Sequence, residues 1–343
     1  MRDVLADIES WLGDGRRVAL ATVVETWGSA PRTVGAKMAV AEDRRIAGSV
    51  SGGCVENAVV EASDEVLRSG TPRLLKFGVS DDTAWSVGLA CGGAIEVFVE
   101  PLDPSIFGPV RAALRQELPV AVATTIQGDV GRKVAVFTDG RFIGSTDAPM
   151  RDAARSALAE GRSRRVPLDG GELFVDVLLP SPRLIIVGGV HIAVALVTLA
   201  KALGFRTVLV DPRETFANPK RFPHADEIVP AWPDQALGKL ALNAGTAVAV
   251  LAHDPKLDDP ALIAALASPA FYVGALGSTR TQTKRRTRLT AAGVSEDALA
   301  RLHAPIGLDL GGRSPEEIAL SVMAQIVAAR HGKPAGASPS AAR

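Results

Sequence analysis

Apolar and polar positions run through the first half of the chain in one order, twice. Residues 18–49 have a counterpart in residues 120–145. Ala21-Thr22-Val23-Val24 answers Ala123-Thr124-Thr125-Ile126, Gly35-Ala36-Lys37-Met38-Ala39-Val40 answers Gly131-Arg132-Lys133-Val134-Ala135-Val136, and Gly48-Ser49 answers Gly144-Ser145. The alternating and β-branched runs predict strands. Each set leads into a helical stretch, 55–68 and 150–159, and each closes on an apolar strand before proline, 95–100 and 173–179. The pattern predicts two copies of a strand-strand-strand-helix-strand unit in an N-terminal α+β domain over residues 1–180. The second copy has no counterpart of Gly52-Gly53-Cys54 or of the segment from Trp85 to Gly93. One copy is therefore expected to carry a site and the other to complete the core.

After Pro182 the pattern changes. Short apolar runs at 184–187, 207–210, 247–251 and 271–275 alternate with helical stretches, the first at 192–203. Runs of this kind with crossover helices predict a Rossmann-like, doubly wound parallel-sheet domain over residues 181–330. Its last helix is well marked: Ser314 can cap, Pro315 suits the first turn, Glu317 closes a capping box, and Ile318, Val322 and Ile326 form one apolar stripe. Residues 331–343, rich in Gly, Ala, Pro and Ser, are expected to be a disordered tail.

Composition narrows the function classes. Lys plus Arg and Asp plus Glu are 38 each, and no long basic run appears outside Lys284, Arg285, Arg286 and Arg288, which argues against an extended nucleic-acid interface. A hydrophobic content of 47% supports sizeable cores, yet charge, Gly or Pro breaks every apolar run before a membrane could be spanned. A cytoplasmic protein is expected. Two cysteines exclude a disulfide scaffold and are expected as free thiols.

Both cysteines sit beside glycine pairs in one recurring pattern, Gly52-Gly53-Cys54-Val55-Glu56 and Cys91-Gly92-Gly93-Ala94-Ile95-Glu96. Glycine pairs let backbone turn tightly, so a thiol can be presented beside amide groups that favour a thiolate or an anion. The plainer alternative, two small buried hydrophobes, stays open. In the second domain Gly188-Gly189-Val190-His191-Ile192-Ala193 approximates a dinucleotide fingerprint, and Asp211 stands where a ribose-binding acid belongs. Val190 occupies the position at which glycine lets backbone approach a pyrophosphate, so the sequence argues against NAD(P). His191, His224, His253 and His303 also lie in this domain. No HxH or CxxC spacing supports a metal centre.

With these motifs in order, the chain resembles the XdhC/CoxI family, accessory proteins of molybdenum hydroxylases such as xanthine dehydrogenase. Glu25-Thr26-Trp27-Gly28-Ser29-Ala30-Pro31-Arg32, 48–56 and 91–96 carry the resemblance in front; Gly188 to Ala193, Val210-Asp211-Pro212-Arg213, His253-Asp254, 274–278 and 303–317 carry it behind. Family members usually have glycine at the place of Val190 and often threonine at that of Ala252. The resemblance implies a chaperone without turnover of its own, which holds molybdenum cofactor (molybdopterin), shields it while a cysteine desulfurase exchanges an oxo ligand for sulfur, and delivers it to an apo-hydroxylase. A homodimer is expected. Cys54 is the first candidate for contact with the cofactor and its molybdenum, with Cys91 second. Gly52, Gly53, Gly92 and Gly93 shape the loops, Glu56 and Glu96 are candidates to accept pterin N–H groups, and Arg32 or Lys37 to meet the phosphate. Gly188, Gly189, His191 and Asp211 are the candidates in the second domain. The competing functions are an NAD(P)-dependent oxidoreductase built on that domain and a scaffold whose duplicated half dimerises.

Overall fold

The computed structural model describes residues 1–30, 32–78 and 93–333. The chain divides into two compact units, with the break between Pro180 and Ser181. In the first unit the elements run α1 (Arg2–Gly13), β1 (Val18–Trp27), β2 (Lys37–Ala41), β3 (Ile46–Gly48), α2 (Glu56–Ser69), β4 (Arg73–Phe77) and β5 (Ala94–Pro101). They then repeat as α3 (Pro104–Arg115), β6 (Val120–Gln127), β7 (Lys133–Phe137), β8 (Phe142–Gly144), α4 (Ala148–Glu160), β9 (Arg164–Leu168) and β10 (Gly171–Leu178). Two antiparallel five-stranded sheets result, ordered β3-β2-β1-β5-β4 and β8-β7-β6-β10-β9. The duplication is thus structural, but each unit is longer than the sequence pattern predicts: a helix precedes it, and an edge strand, β4 or β9, stands between its second helix and its last strand. These edge strands escape the pattern because they are short and charged, and β9 contains Pro167, which a sheet tolerates at its edge.

The two copies meet face to face. Alternate residues of β1, Ala19, Ala21 and Val23, join Val55, Val59 and Val66 around α2 in one core cluster. The opposite face contributes Val24 and Phe98, which cluster with their counterparts Ile126 and Phe174. In register Thr22 lies opposite Lys37, and Thr124 opposite Lys133. Lys37 is buried and Lys133 largely buried in this seam, and their partners are exchanged between copies. Lys37 Nζ lies 2.8 Å from Asp176 Oδ2 and donates to Thr22 Oγ1 at 3.0 Å, while Lys133 pairs with Glu100. Glu100 and Asp176 are themselves equivalent, opposite Leu20 and Val122. A cavity of about 60 Å³, lined among others by these four charged residues, lies between the sheets. It has room for a few waters, not for a cofactor.

The second unit contains β11 (Arg183–Val187), α5 (His191–Ala202), β12 (Arg206–Val210), β13 (Glu227–Val229), α6 (Pro233–Lys239), β14 (Thr246–Val250), α7 (Pro255–Leu266), β15 (Tyr272–Ala275), α8 (Thr279–Ala291), α9 (Glu296–Ala300), β16 (Leu302–His303) and α10 (Pro315–Arg330). Its parallel sheet runs β13-β12-β11-β14-β15-β16, the doubly wound order with its switch point between β11 and β14. Leu184 and Ile186 face the cluster with α5 and α10, and Ile185 and Val187 the one with α6 and α7, which is why the strand is apolar throughout. The Ser314–Glu317 capping box is formed. Residues 334–343 of the expected tail lie outside the described residues.

The exchanged ion pairs make the two copies interdependent. A fragment ending at Leu102 keeps Lys37 and Glu100 but neither partner, and is expected to lack a cooperative unfolding transition; a stable monomeric fragment would contradict this. In the full chain Lys133→Met, which leaves Glu100 buried and unpaired, is expected to cost about 3–5 kcal/mol in urea unfolding, with Lys133→Met/Glu100→Leu recovering most of it.

Candidate functional site

Between β3 and α2 the chain turns through Ser49 to Val55. Gly52 and Gly53 have φ of +80° and +125°, with nothing within 4 Å of a Cβ built on either, so backbone conformation and not crowding requires glycine there. The loop amides converge on a carboxylate of the chain itself. Glu56 accepts from the N–H groups of Val50, Ser51, Gly52, Gly53 and Val55 at 2.9–3.2 Å, and from the hydroxyls of Ser49 and Ser51 at 2.6 and 2.5 Å. Ser51 Oγ takes the remaining amide, that of Cys54, at 3.0 Å. Burial pushes the Glu56 carboxyl up, but the hydrogen bonds from Ser49, Ser51 and the loop amides outweigh it and hold the pKa at about 2. The loop is an anion-binding nest filled by its own side chain. Glu56 and the amides are thus engaged with each other, and Cys54 is left exposed as a free thiol.

Arg32 belongs to the same arrangement. Its Nε donates to the Ser49 carbonyl at 3.1 Å, and its guanidinium lies 3.4 Å from Asp3. Gly93 packs against Ser29 and Ala30, shortly ahead of Arg32 in the chain, where a Cβ would come within 2.9 Å of the Ser29 backbone. Cys91 and Gly92 lie outside the described residues. Glu96 is placed differently from the expectation of a pterin acceptor: it is buried, with Lys76 2.8 Å from one carboxylate oxygen and Arg165 2.7 Å from the other. Lys37, a candidate for the phosphate, is sealed in the seam by Asp176. Sequence reasoning missed Ser49, Ser51 and Arg165; the Ser-x-Ser pair just ahead of the glycines was the available signal.

In the second unit the glycine turn is closely packed. A Cβ on Gly188 would lie 2.8 Å from the Ala252 nitrogen, and one on Gly189 2.5 Å from the Phe216 carbonyl. Val190 is the N-cap of α5 without a side-chain cap, and its side chain packs on the adjoining apolar cluster. His191 opens the helix and is exposed. Asp211 is fully buried. Its Oδ2 accepts from Gly189 N at 2.8 Å and Arg213 at 2.7 Å, and its Oδ1 from Arg213 N and Nε. Burial would raise its pKa, but these hydrogen bonds hold it below the usual carboxylate range. Arg213 in turn lies over the Phe216 ring at 4.0 Å. His303 stacks on Tyr272 at 4.7 Å, half-buried, and burial lowers its pKa. Among the described residues no three His, Cys, Asp or Glu side chains form a metal-binding group.

Comparison with known proteins finds matches in both units. Residues 11–78 match the model of the XdhC and CoxI family, and residues 184–326 that of the XdhC Rossmann domain. A molybdenum cofactor insertion chaperone, PaoD, of Escherichia coli is 30% identical over 335 residues, 96% of this chain and 88% of that protein. This chain belongs to the XdhC and CoxI family. A protein of Bacillus subtilis named as a probable xanthine dehydrogenase subunit is 29% identical over 94% of this chain and 96% of that one. A solved structure titled a xanthine dehydrogenase, from Bacillus halodurans, covers 98% of both chains with a TM-score of 0.79 at 28% identity.

Two expectations follow for this XdhC/CoxI protein. A carboxylate with its folded pKa below the ordinary 4.5 stabilises its loop above that pH and loses the contribution as pH falls toward about 2. Glu56→Gln should therefore speed hydrogen exchange of the loop amides by about tenfold or more near neutrality, and flatten the acid dependence that wild type shows between those values. Unchanged exchange would remove Glu56 as the organiser of the loop. In the second unit, calorimetry should find NAD(P) binding weaker than about millimolar. Val190→Gly alone should change little while Arg213 holds Asp211, and Val190→Gly/Arg213→Ala should strengthen it; micromolar binding by wild type would contradict this.

Proposed function

We propose that this protein carries molybdenum cofactor as cargo and hands it to an apo-hydroxylase of the xanthine dehydrogenase type, without turnover of its own. The observation that carries this reading is the Cys54 loop: an exposed thiol on a backbone turn locked by Glu56, in a chain 30% identical to a molybdenum cofactor insertion chaperone. A thiolate is a soft ligand suited to a dithiolene-bound metal, and a rigid turn presents it without ordering cost. The loop amides are occupied, so the cofactor's phosphate is assigned to Arg32, whose guanidinium has only a partly exposed carboxylate at 3.4 Å to give up. In this reading Glu56 positions the loop and Glu96 braces the sheet; neither meets the pterin. A cysteine desulfurase acting on the bound cargo, a homodimer and a cytoplasmic location belong to the same proposal. The NAD(P)-dependent oxidoreductase reading is weakened by the engagement of Asp211 with Arg213.

The test is to purify the full chain from cells that make the cofactor and to measure pterin and molybdenum. Cys54→Ser is expected to carry about tenfold less of both, the equivalent of one lost contact, at an unchanged melting temperature; Cys91→Ser should lose less. Equal loading of wild type and Cys54→Ser would remove the thiol from the proposal.

A further inference from the structure

Beside Arg32 lies an open cleft of about 470 Å³, lined by Arg32, the backbone from Thr33 to Ala36, Ser163 and Asp176 among others. Asp176 forms both its inner wall and part of the seam cavity. The two oxygens of this nine-tenths buried carboxylate are unequally used. Among the described residues, Oδ2 is held by Lys37 at 2.8 Å, whereas Oδ1 has only the Ser163 hydroxyl at 3.4 Å. Gly35, at φ +87°, leaves Oδ1 accessible, since a Cβ there would stand 3.4 Å in front of it.

The duplication supplies an internal control. By strand register Asp176 corresponds to Glu100, Gly35 to Gly131, and Ser163 to Pro72. In the other copy a Cβ on Gly131 would meet Pro72 Cγ at 3.0 Å, so the space in front of that glycine is filled by a proline ring. The polar cleft departs from the repeat in the copy whose Arg32 holds the Cys54 loop. Its carboxylates can only accept hydrogen bonds, and Asp3 is already engaged by the Met1 ammonium at 3.1 Å and by Arg32 at 3.4 Å, which leaves Asp176 Oδ1 as the acceptor for a ligand N–H group.

We propose that this cleft is the pterin subsite: Asp176 Oδ1 accepts from the exocyclic amino group of the 2-amino-4-oxopyrimidine ring while Arg32 meets the anionic end of the same ligand. The proposal rests on the cofactor-carrying reading above, and the experiment separates the two. Full-length chain free of cofactor is titrated with pterin-6-carboxylate and with lumazine-6-carboxylate, which has a carbonyl in place of the amino group. Wild type is expected to prefer the pterin by about tenfold. Asp176→Asn and Ser163→Leu should abolish the preference, and Cys54→Ser should keep it. Should Asp176→Asn unfold because Lys37 loses its partner, Ser163→Leu decides, since it fills the cleft and leaves the ion pair in place. Equal binding of the two compounds by wild type, or an undiminished preference in folded Ser163→Leu, would overturn the subsite. If wild type purified from cofactor-making cells carries pterin and molybdenum in that case, the cleft alone falls; if it carries neither and binds neither compound, both proposals fall.

Discussion

Two ammonium groups, one buried and one largely so, lie between two sheets and set the conditions for the whole first unit. Removing a charge from water costs several kcal/mol unless a partner and further hydrogen bonds replace the lost hydration. Lys37 and Lys133 each find that partner in the other copy, at Asp176 and Glu100, so neither half of the duplication satisfies its own interior. Burial still raises the Glu100 carboxyl above its ordinary range against the pull of Lys133. The pair is better understood as specifying how the sheets dock than as a source of stability. The constraint reaches the site through the backbone: the Lys37 carbonyl accepts from Ser49 N at 3.0 Å, so the strand that carries the buried lysine also anchors the start of the Cys54 loop.

Filling an anion nest from within has a chemical consequence. A loop with free amides would attract any small anion in the cell; one whose amides already surround Glu56 offers nothing to phosphate or chloride. What remains at the surface is the thiol, and it sits on a turn whose shape is fixed before a ligand arrives. Selectivity would then come from sulfur chemistry and from the neighbouring Arg32, not from the amides.

The repeat, the change of pattern at Pro182 and the Ser314–Glu317 cap were legible because each is written in local periodicity or local hydrogen bonding. β4 and β9 were not, because five-residue edge strands with basic residues have no buried stripe to advertise them. Cys54 stood out as a candidate by its glycine pair, and Arg32 only through the family resemblance. The engagement of Glu56 could not, because a carboxylate two residues after the cysteine reads equally as a ligand acceptor until the turn brings it back under the amides. The ion pairs of Glu96 were hidden for a different reason: its partner Arg165 lies 69 residues away in the other copy, beyond any pattern within one strand.

The second unit shows how a strand order can persist while its usual chemistry is reassigned. Two glycines follow β11 and an acid follows β12, as a dinucleotide site requires, and the sheet turns over at the same place. Yet the acid is spent inside the protein. Four hydrogen bonds from Gly189 and Arg213 fill Asp211, and the Phe216 carbonyl covers the glycine whose bare Cα would otherwise face a ligand. A ribose would have to displace the Arg213 guanidinium, held on both oxygens of Asp211, and offer uncharged hydroxyls in place of a cation, which gives up the attraction between the two charges. The strand order by itself is therefore no argument for redox chemistry. What Asp211 and Arg213 do secure is the packing of the β12 loop onto the glycine turn at the crevice end of this sheet.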